Sequence, residues 1–230
     1  MNTIDELLAY FFDGQHAAFR AEFEGWVRST RRFKAFAIDY RSKIRTKLKS
    51  ASDDNGLQDL RAELATAFLL LGEDRFTLEY EKYAAAKVRG PDFTAIYKTH
   101  TPLNIEVRRL RSTEMGEDAD SLLLKLMAVL CDKIGQMPPG IINLLWLQAE
   151  RPLAVEVLAQ ALVTLRQRAD RKDEDFFKRR GFASAADFLK HDRQLSAIVV
   201  HGSDSPVVWH NPTARHKLAG EIANAISKRR

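Results

Sequence analysis

The sequence predicts an α/β protein: a central mixed β-sheet flanked by helices, with a helical extension at the N-terminus. Three observations carry this. Helical periodicity over the first fifty residues gives way to the order helix, three strands, helix, strand, helix, which layers helices on a sheet. The run IINLLWL, 141–147, is apolar but for Asn143, as in a strand covered on both faces. The chain has 230 residues, 45% hydrophobic and 29% charged, enough for one substantial core and too few for two full-sized domains.

Taken in order, residues 3–25 form a helix that buries Leu7, Leu8, Phe11, Phe12 and Phe19, with Gly25 near its break. From Arg28 to Lys49, apolar residues recur at Phe33, Ala37, Tyr40, Ile44 and Leu48, the three-and-four spacing of one helix face. SASDDNG, 50–56, is a polar breaker that divides a basic extension, 1–56, from the main domain, 57–230. LQDLRAELATAFLLLG is then an amphipathic helix ended by Gly72, and RFTLEYEKY alternates like a strand. Asp92–Lys98 and Leu103–Leu110 form a hairpin around THTP. GEDADSLLLKLMAVLCDKIGQ is a helix stopped by MPPG. RPLAVEVLAQALVTLRQRAD is another, with Pro152 in its first turn, where a missing amide hydrogen costs little. Short helices over 173–190, a strand in LSAIVVHG, an extended PVVWH and a terminal helix from Thr213 complete the chain.

The longest apolar stretches fall well short of the roughly 20 residues needed to span a bilayer, so no membrane partner is expected. The N-terminus carries acidic residues where a signal peptide would be basic, which predicts an intracellular, cytoplasmic location. Cys131 is a lone cysteine among Leu126, Val129 and Leu130, and reads as a small buried hydrophobe. There is no phosphate-cradling Gly-rich loop and no G-x-S-x-G elbow. His201, His210 and His216 match no compact zinc spacing.

In the hairpin, alternation sends Leu103, Ile105 and Val107 to one face and Asn104, Glu106 and Arg108 to the other, with Asp92 brought beside Glu106. Two carboxylates so close repel unless a cation lies between them. A hard divalent ion on one or two carboxylates resolves that conflict and leaves positions for phosphate oxygens. The bland alternative is a solvated polar face.

The run from Glu63 through GPDF to IEVRRL resembles the PD-(D/E)XK superfamily of restriction-endonuclease-like nucleases. That motif sets an acidic residue in a first helix, Pro-Asp at the opening of a strand, and Glu-x-Lys on the next. Pro91 and Asp92 match the Pro-Asp; Glu106, Val107 and Arg108 occupy the second signature; Glu63 stands at the helical acid. The likeness covers 57–147 well and the tail loosely. It implies a restriction-endonuclease-like fold and hydrolysis of phosphodiester bonds in DNA. It implies Mg²⁺ (or Mn²⁺) held by Asp92, Glu106 and the Val107 carbonyl, with Glu63 orienting a water or a second ion. Gln136 resembles an auxiliary polar residue. The expectation is that the three acids converge on one oxygen-rich cradle.

One position departs from the motif. Arg108 stands where the family has lysine, and with a pKa above about 12 it cannot act as a base, although it can stabilise a charged phosphate. A catalytically inactive relative that binds nucleic acid or a protein partner is therefore the alternative.

The net charge is +5, and between Arg28 and Lys49 nine Lys or Arg residues face the single acid Asp39. Arg41, Arg45 and Lys49, four apart, form a stripe suited to tracking a phosphate backbone, with Arg109 and Arg111 adding charge near the acids. An ordinary solvated helix face is the competing account. DNA is the expected partner, and a homodimer is left open.

Overall fold

The computed structural model describes residues 3–83, 90–114, 118–202 and 205–228. Six strands form one mixed sheet, in chain order across it: β1 (Phe76–Tyr80), β2 (Phe93–Tyr97), β3 (Thr101–Leu110), β4 (Ile142–Ala149), β5 (Ala197–His201) and β6 (Val207–His210). β1, β2 and β3 run antiparallel, β3, β4 and β5 parallel, and β6 antiparallel to β5. The predicted α/β class, with its central mixed sheet, its flanking helices and helices at the N-terminus, is the class observed.

Each face has its own apolar layer. Helices α1 (Ile4–Phe12), α2 (Ala17–Ser29), α3 (Arg31–Asp39), α4 (Arg41–Ser50) and α5 (Asp54–Leu71) cover one face. Their Phe23, Phe33, Ile44 and Leu64 pack in one cluster with Phe93, Ile105 and Trp146 of the strands. The stretch 3–56 is thus a cover of the sheet, sharing its core. The second face is covered by α6 (Ala119–Ile134), α7 (Val155–Asp170), α8 (Glu174–Lys178) and α9 (Ala185–Asp192), with Leu130, Leu162 and Phe188 against Leu145, Leu147 and Ile198. The alternation Leu144/Trp146 against Leu145/Leu147 explains why β4 reads as continuously apolar: it is buried on both sides. α10 (Gly220–Ser227) returns to the first face through Ile222 and Ile226.

Several boundaries differ from expectation. The predicted helix over 3–25 is two helices, because Asp13 (φ 45°) and Gly14 (φ 78°) adopt left-handed backbone after Phe12; Gly25 lies inside α2. The basic helix divides at Tyr40 (φ −100°, ψ 18°), although its apolar stripe carries through both halves. SASDDNG is chiefly a helix start: Asp53 accepts the Gly56 amide at 2.8 Å and caps α5. α7 begins at Val155, after an extended Ala154, so Pro152 precedes the helix. The terminal helix begins only at Gly220, because the chain around Asn211 is tied down elsewhere. Asn211 Nδ2 donates to the Asp192 and Leu195 carbonyls at 2.8 Å, and its Oδ1 accepts the Thr213 amide at 3.0 Å. Gly116 and Glu117 of one expected helix, and Arg229 and Arg230 of the last, lie outside the described residues.

Candidate functional site

β2 is shorter than β3, and the site lies where it stops. The ladder pairs Phe93 with Ile105, which sets Asp92 and Glu106 at the next step. Beyond that point β3 has lost its neighbour, and the Val107 amide donates instead to Asp92 Oδ2 at 2.7 Å. Among the described residues this is the one hydrogen bond to the Asp92 carboxylate. Amide and carbonyl of one residue leave a strand on the same side, so the Val107 carbonyl also faces the space Asp92 occupies. Glu81 secures the other end of the turn, its amide donating to the Asp92 carbonyl at 2.7 Å. Gly90 precedes Pro91 because the Tyr83 ring covers it: a Cβ there would meet the ring at 2.6 Å.

Strand alternation holds as predicted. Leu103, Ile105 and Val107 join the first-face layer, while Asn104, Glu106 and Arg108 take the other side. There Lys133 of α6 places its Nζ 2.8 Å from Glu106 Oε1, both side chains about 15% exposed. Asn104, buried, donates to Asn143 Oδ1 and accepts from Thr94 Oγ1, each at 3.1 Å, a polar rung through β2, β3 and β4 that holds the register beneath Glu106. Gln136, one turn on from Lys133, is bound to Asp132 at 3.1 Å. With Pro91, Glu106 and Lys133 it lines a cavity of ≈ 10 Å³, at the limit of what one water needs.

Glu63 reaches the site from the opposite layer. On α5 it pairs with Lys47 at 2.6 Å and accepts the Tyr80 hydroxyl; Lys47 also meets Glu81 at 2.7 Å. The expected convergence of the three acids on one cradle does not occur, because α5 and α6 cover opposite faces of the sheet. Asp92 sits at the strand end, with Glu106 on one side of the sheet and Glu63 on the other. All three remain within electrostatic reach. Loss of hydration, then the charges of Glu63 and Glu106, push the Asp92 pKa well above the usual carboxylate range. Burial raises Glu63 too, against the pull of Lys47. Burial lowers the Lys47 ammonium, but Glu63 and Glu81 outweigh it and the net shift is upward, which keeps it protonated.

The predicted basic residues are used in several ways. Arg109, 8% exposed, faces α5, where Asp59 (2.7 Å) and Asn55 (3.0 Å) occupy its donors, together with Glu150 at the end of β4. It is a buried tie and does not face solvent. Arg111 shares Asp59 at 3.1 Å. Arg41 bonds the Ile38 carbonyl, Arg45 lies 4.3 Å from the Tyr10 ring centroid, and Lys49 is exposed. Arg108 is half-buried on the side of Glu106. The residues that sequence reasoning missed are Lys133 and Lys47. Each lies on a helix surface where lysine is the commonplace residue, and no local pattern marks it.

Among the described residues no group of three His, Cys, Asp or Glu side chains stands ready-made to hold a metal ion. A hard divalent cation needs less, one or two carboxylates with waters. Asp92, Glu106 and the Val107 carbonyl would be its donors, with Glu106 now held by Lys133, and the surplus negative charge felt by Asp92 is what such a cation would relieve. No helix among the described residues is long and apolar enough to cross a membrane. No family model matches the chain, and no curated protein or solved structure is significantly similar to it.

Proposed function

We propose that the protein is a metal-dependent nuclease-like hydrolase that cleaves phosphodiester bonds in DNA, working at Asp92, Glu106 and Lys133. The observation that carries this reading is one juxtaposition. Asp92 and Glu106 take the ladder step just before β2 begins, near enough for the Glu106 charge to act on Asp92, and an ammonium group stands 2.8 Å from Glu106. Asp92, Glu106 and the Val107 carbonyl would hold Mg²⁺ or Mn²⁺, which when bound polarises the phosphoryl group and lowers the pKa of water. Lys133 supplies what Arg108 cannot, an amine able to exchange a proton and to orient a water beside Glu106. Arg108, on the same side, offers fixed positive charge to a phosphorane-like transition state. Gln136 closes the small cleft next to the lysine. Glu63 acts through Lys47, setting the field around Asp92.

Supercoiled plasmid incubated with the protein in Mg²⁺ or Mn²⁺ tests this. Nicking by the wild type that Glu106→Ala lacks is expected, together with Mn²⁺ binding by calorimetry that Asp92→Ala loses. Absence of both nicking and Mn²⁺ binding overturns the reading. The second reading, a silent relative that binds nucleic acid, is favoured by one observation: Glu63 and Glu106 each already hold a lysine. DNA binding without nicking, weakening steeply with salt, would establish it instead.

A further inference from the structure

A second site lies at the carboxyl ends of the parallel strands, on the face away from Lys133. Arg109, Gln148 and His201 are register partners across β3, β4 and β5. They prolong the rows Ile105–Val107, Leu144–Trp146 and Ala197–Val199, which are apolar and packed. At this level the apolar face turns polar. Arg109 is satisfied by α5 and Glu150. Gln148 Oε1 and His201 Nδ1 are not: both atoms are buried, and neither has a hydrogen-bond partner among the described residues. Leaving buried polar atoms unpaired costs stability, and a native fold tolerates it where something else supplies the partner.

Both side chains line a cavity of ≈ 660 Å³ whose other walls include Trp26, Ala65, Phe68 and Leu69. The volume falls within the range of about 300–1,000 Å³ typical of small-molecule sites. The carboxyl ends of parallel strands are where open α/β sheets take ligands. One wall is apolar and aromatic, with Trp26 and Phe68 stacked on each other at 5.5 Å; Glu22, Arg61, Glu73 and Lys228 add charge to the rest, Glu22 being taken up by Arg61 at 2.7 Å. Gln148 and His201 contribute a side-by-side unpaired pair on adjacent strands: an amide oxygen that can only accept, and an imidazole nitrogen that donates in one tautomer. A complementary ligand lays a flat ring on the aromatic wall and presents a donor next to an acceptor along one edge.

We infer that this cavity binds a purine nucleoside, whose base places an exocyclic or ring N–H on Gln148 Oε1 and an adjacent acceptor toward His201 Nδ1. Burial lowers the His201 pKa and keeps the ring neutral, which suits an uncharged base. The glutamine amide is the side chain that reads adenine by paired hydrogen bonds in nucleic-acid complexes, and adenosine is the first probe. Ala65, half-buried on α5, leaves the room that the base would take.

Calorimetric titration of the full chain with adenosine, guanosine and, as an apolar control, naphthalene tests the inference without any activity readout. Saturable binding of adenosine or guanosine is expected. Ala65→Phe should abolish it by filling the cavity. Gln148→Leu should weaken it about tenfold or more while leaving the melting temperature unchanged or higher, because it removes an unpaired acceptor. A fall in melting temperature with binding intact would make Gln148 a structural residue and overturn the assignment. So would absence of saturable nucleoside binding, equal binding of the apolar control, or indifference to both variants.

Discussion

Two lysine–glutamate pairs flank Asp92 from opposite faces of the sheet, and they are wired differently. On the α5 side Lys47 touches Glu63 and Glu81, the Tyr80 hydroxyl donates to the same Glu63 oxygen, and Lys43 reaches Glu81 at 3.3 Å. These five groups largely satisfy one another. On the α6 side Lys133 holds Glu106 at 2.8 Å, with the exposed Asp132 more distant at 3.8 Å, and the pair borders a small cleft. A saturated network resists any exchange of partners, whereas a single ion pair beside a cleft the size of one water has fewer contacts to give up. The first pair braces three elements, α4, α5 and β1; the second joins α6 to β3 alone.

Activity offers the largest test of that contrast. Lys133→Met should lower plasmid nicking about 10²–10⁴-fold, the range of a lost proton-transfer partner, and Glu106→Ala should remove it. Lys47→Met should leave more activity than Lys133→Met when both are assayed well below their melting temperatures. The opposite ranking would break the comparison.

Stability should rank the two lysines the other way. Lys47→Met leaves Glu63 and the Tyr80 hydroxyl around an uncompensated charge and should cost about 2 kcal/mol, seen as a fall of roughly 4–8 °C in a thermal melt. Lys133→Met also leaves a largely buried carboxylate unpaired, but it breaks one ion pair and no network, and should cost less, about 1 kcal/mol.

Asp92 itself sharpens the point through pH. Its pKa is raised on folding, so between the ordinary carboxylate value of about 4 and its folded value the native state binds the extra proton. Stability from this group is complete at low pH and declines as pH rises through that window. Asp92→Asn keeps an oxygen for the Val107 amide and removes the charge. It should raise the melting temperature by about 2–4 °C at pH 8 and have little effect near pH 4, with cleavage lost. An unchanged or lower melting temperature at pH 8 would show that the neighbouring acids do not load this position.

The smallest effect belongs to Cys131, away from both pairs. Burial pushes its thiol up to about 12, so a thiol reagent at pH 8 should leave it unmodified in the native protein and label it after denaturation.

Much of this architecture was legible beforehand. The period-two alternation in LNIEVR placed Ile105 and Val107 against the first helical layer and Glu106 on the other side, because successive side chains of a strand must point oppositely. The doubly apolar IINLLWL announced a central strand. Helix starts were less visible: Asp13, Tyr40 and Asn211 redirect the chain through backbone angles and long-range side-chain bonds that no window of neighbouring residues contains. Gln136 lines the same small cleft as Glu106, whereas Arg109, one residue past Arg108, turned to the buried face.

The sequence by itself determined which residues could share a face, since a repeat of two in strands and 3.6 in helices is a property of the local backbone. Only the tertiary structure decided which charges meet. Lys47 and Lys133 lie 16 and 27 residues from the acids they hold, on helices from opposite layers. Long, flexible side chains leave no periodic trace of their partners, so layer packing, and not spacing along the chain, determined that one pair would join a network and the other stand alone beside a small cleft.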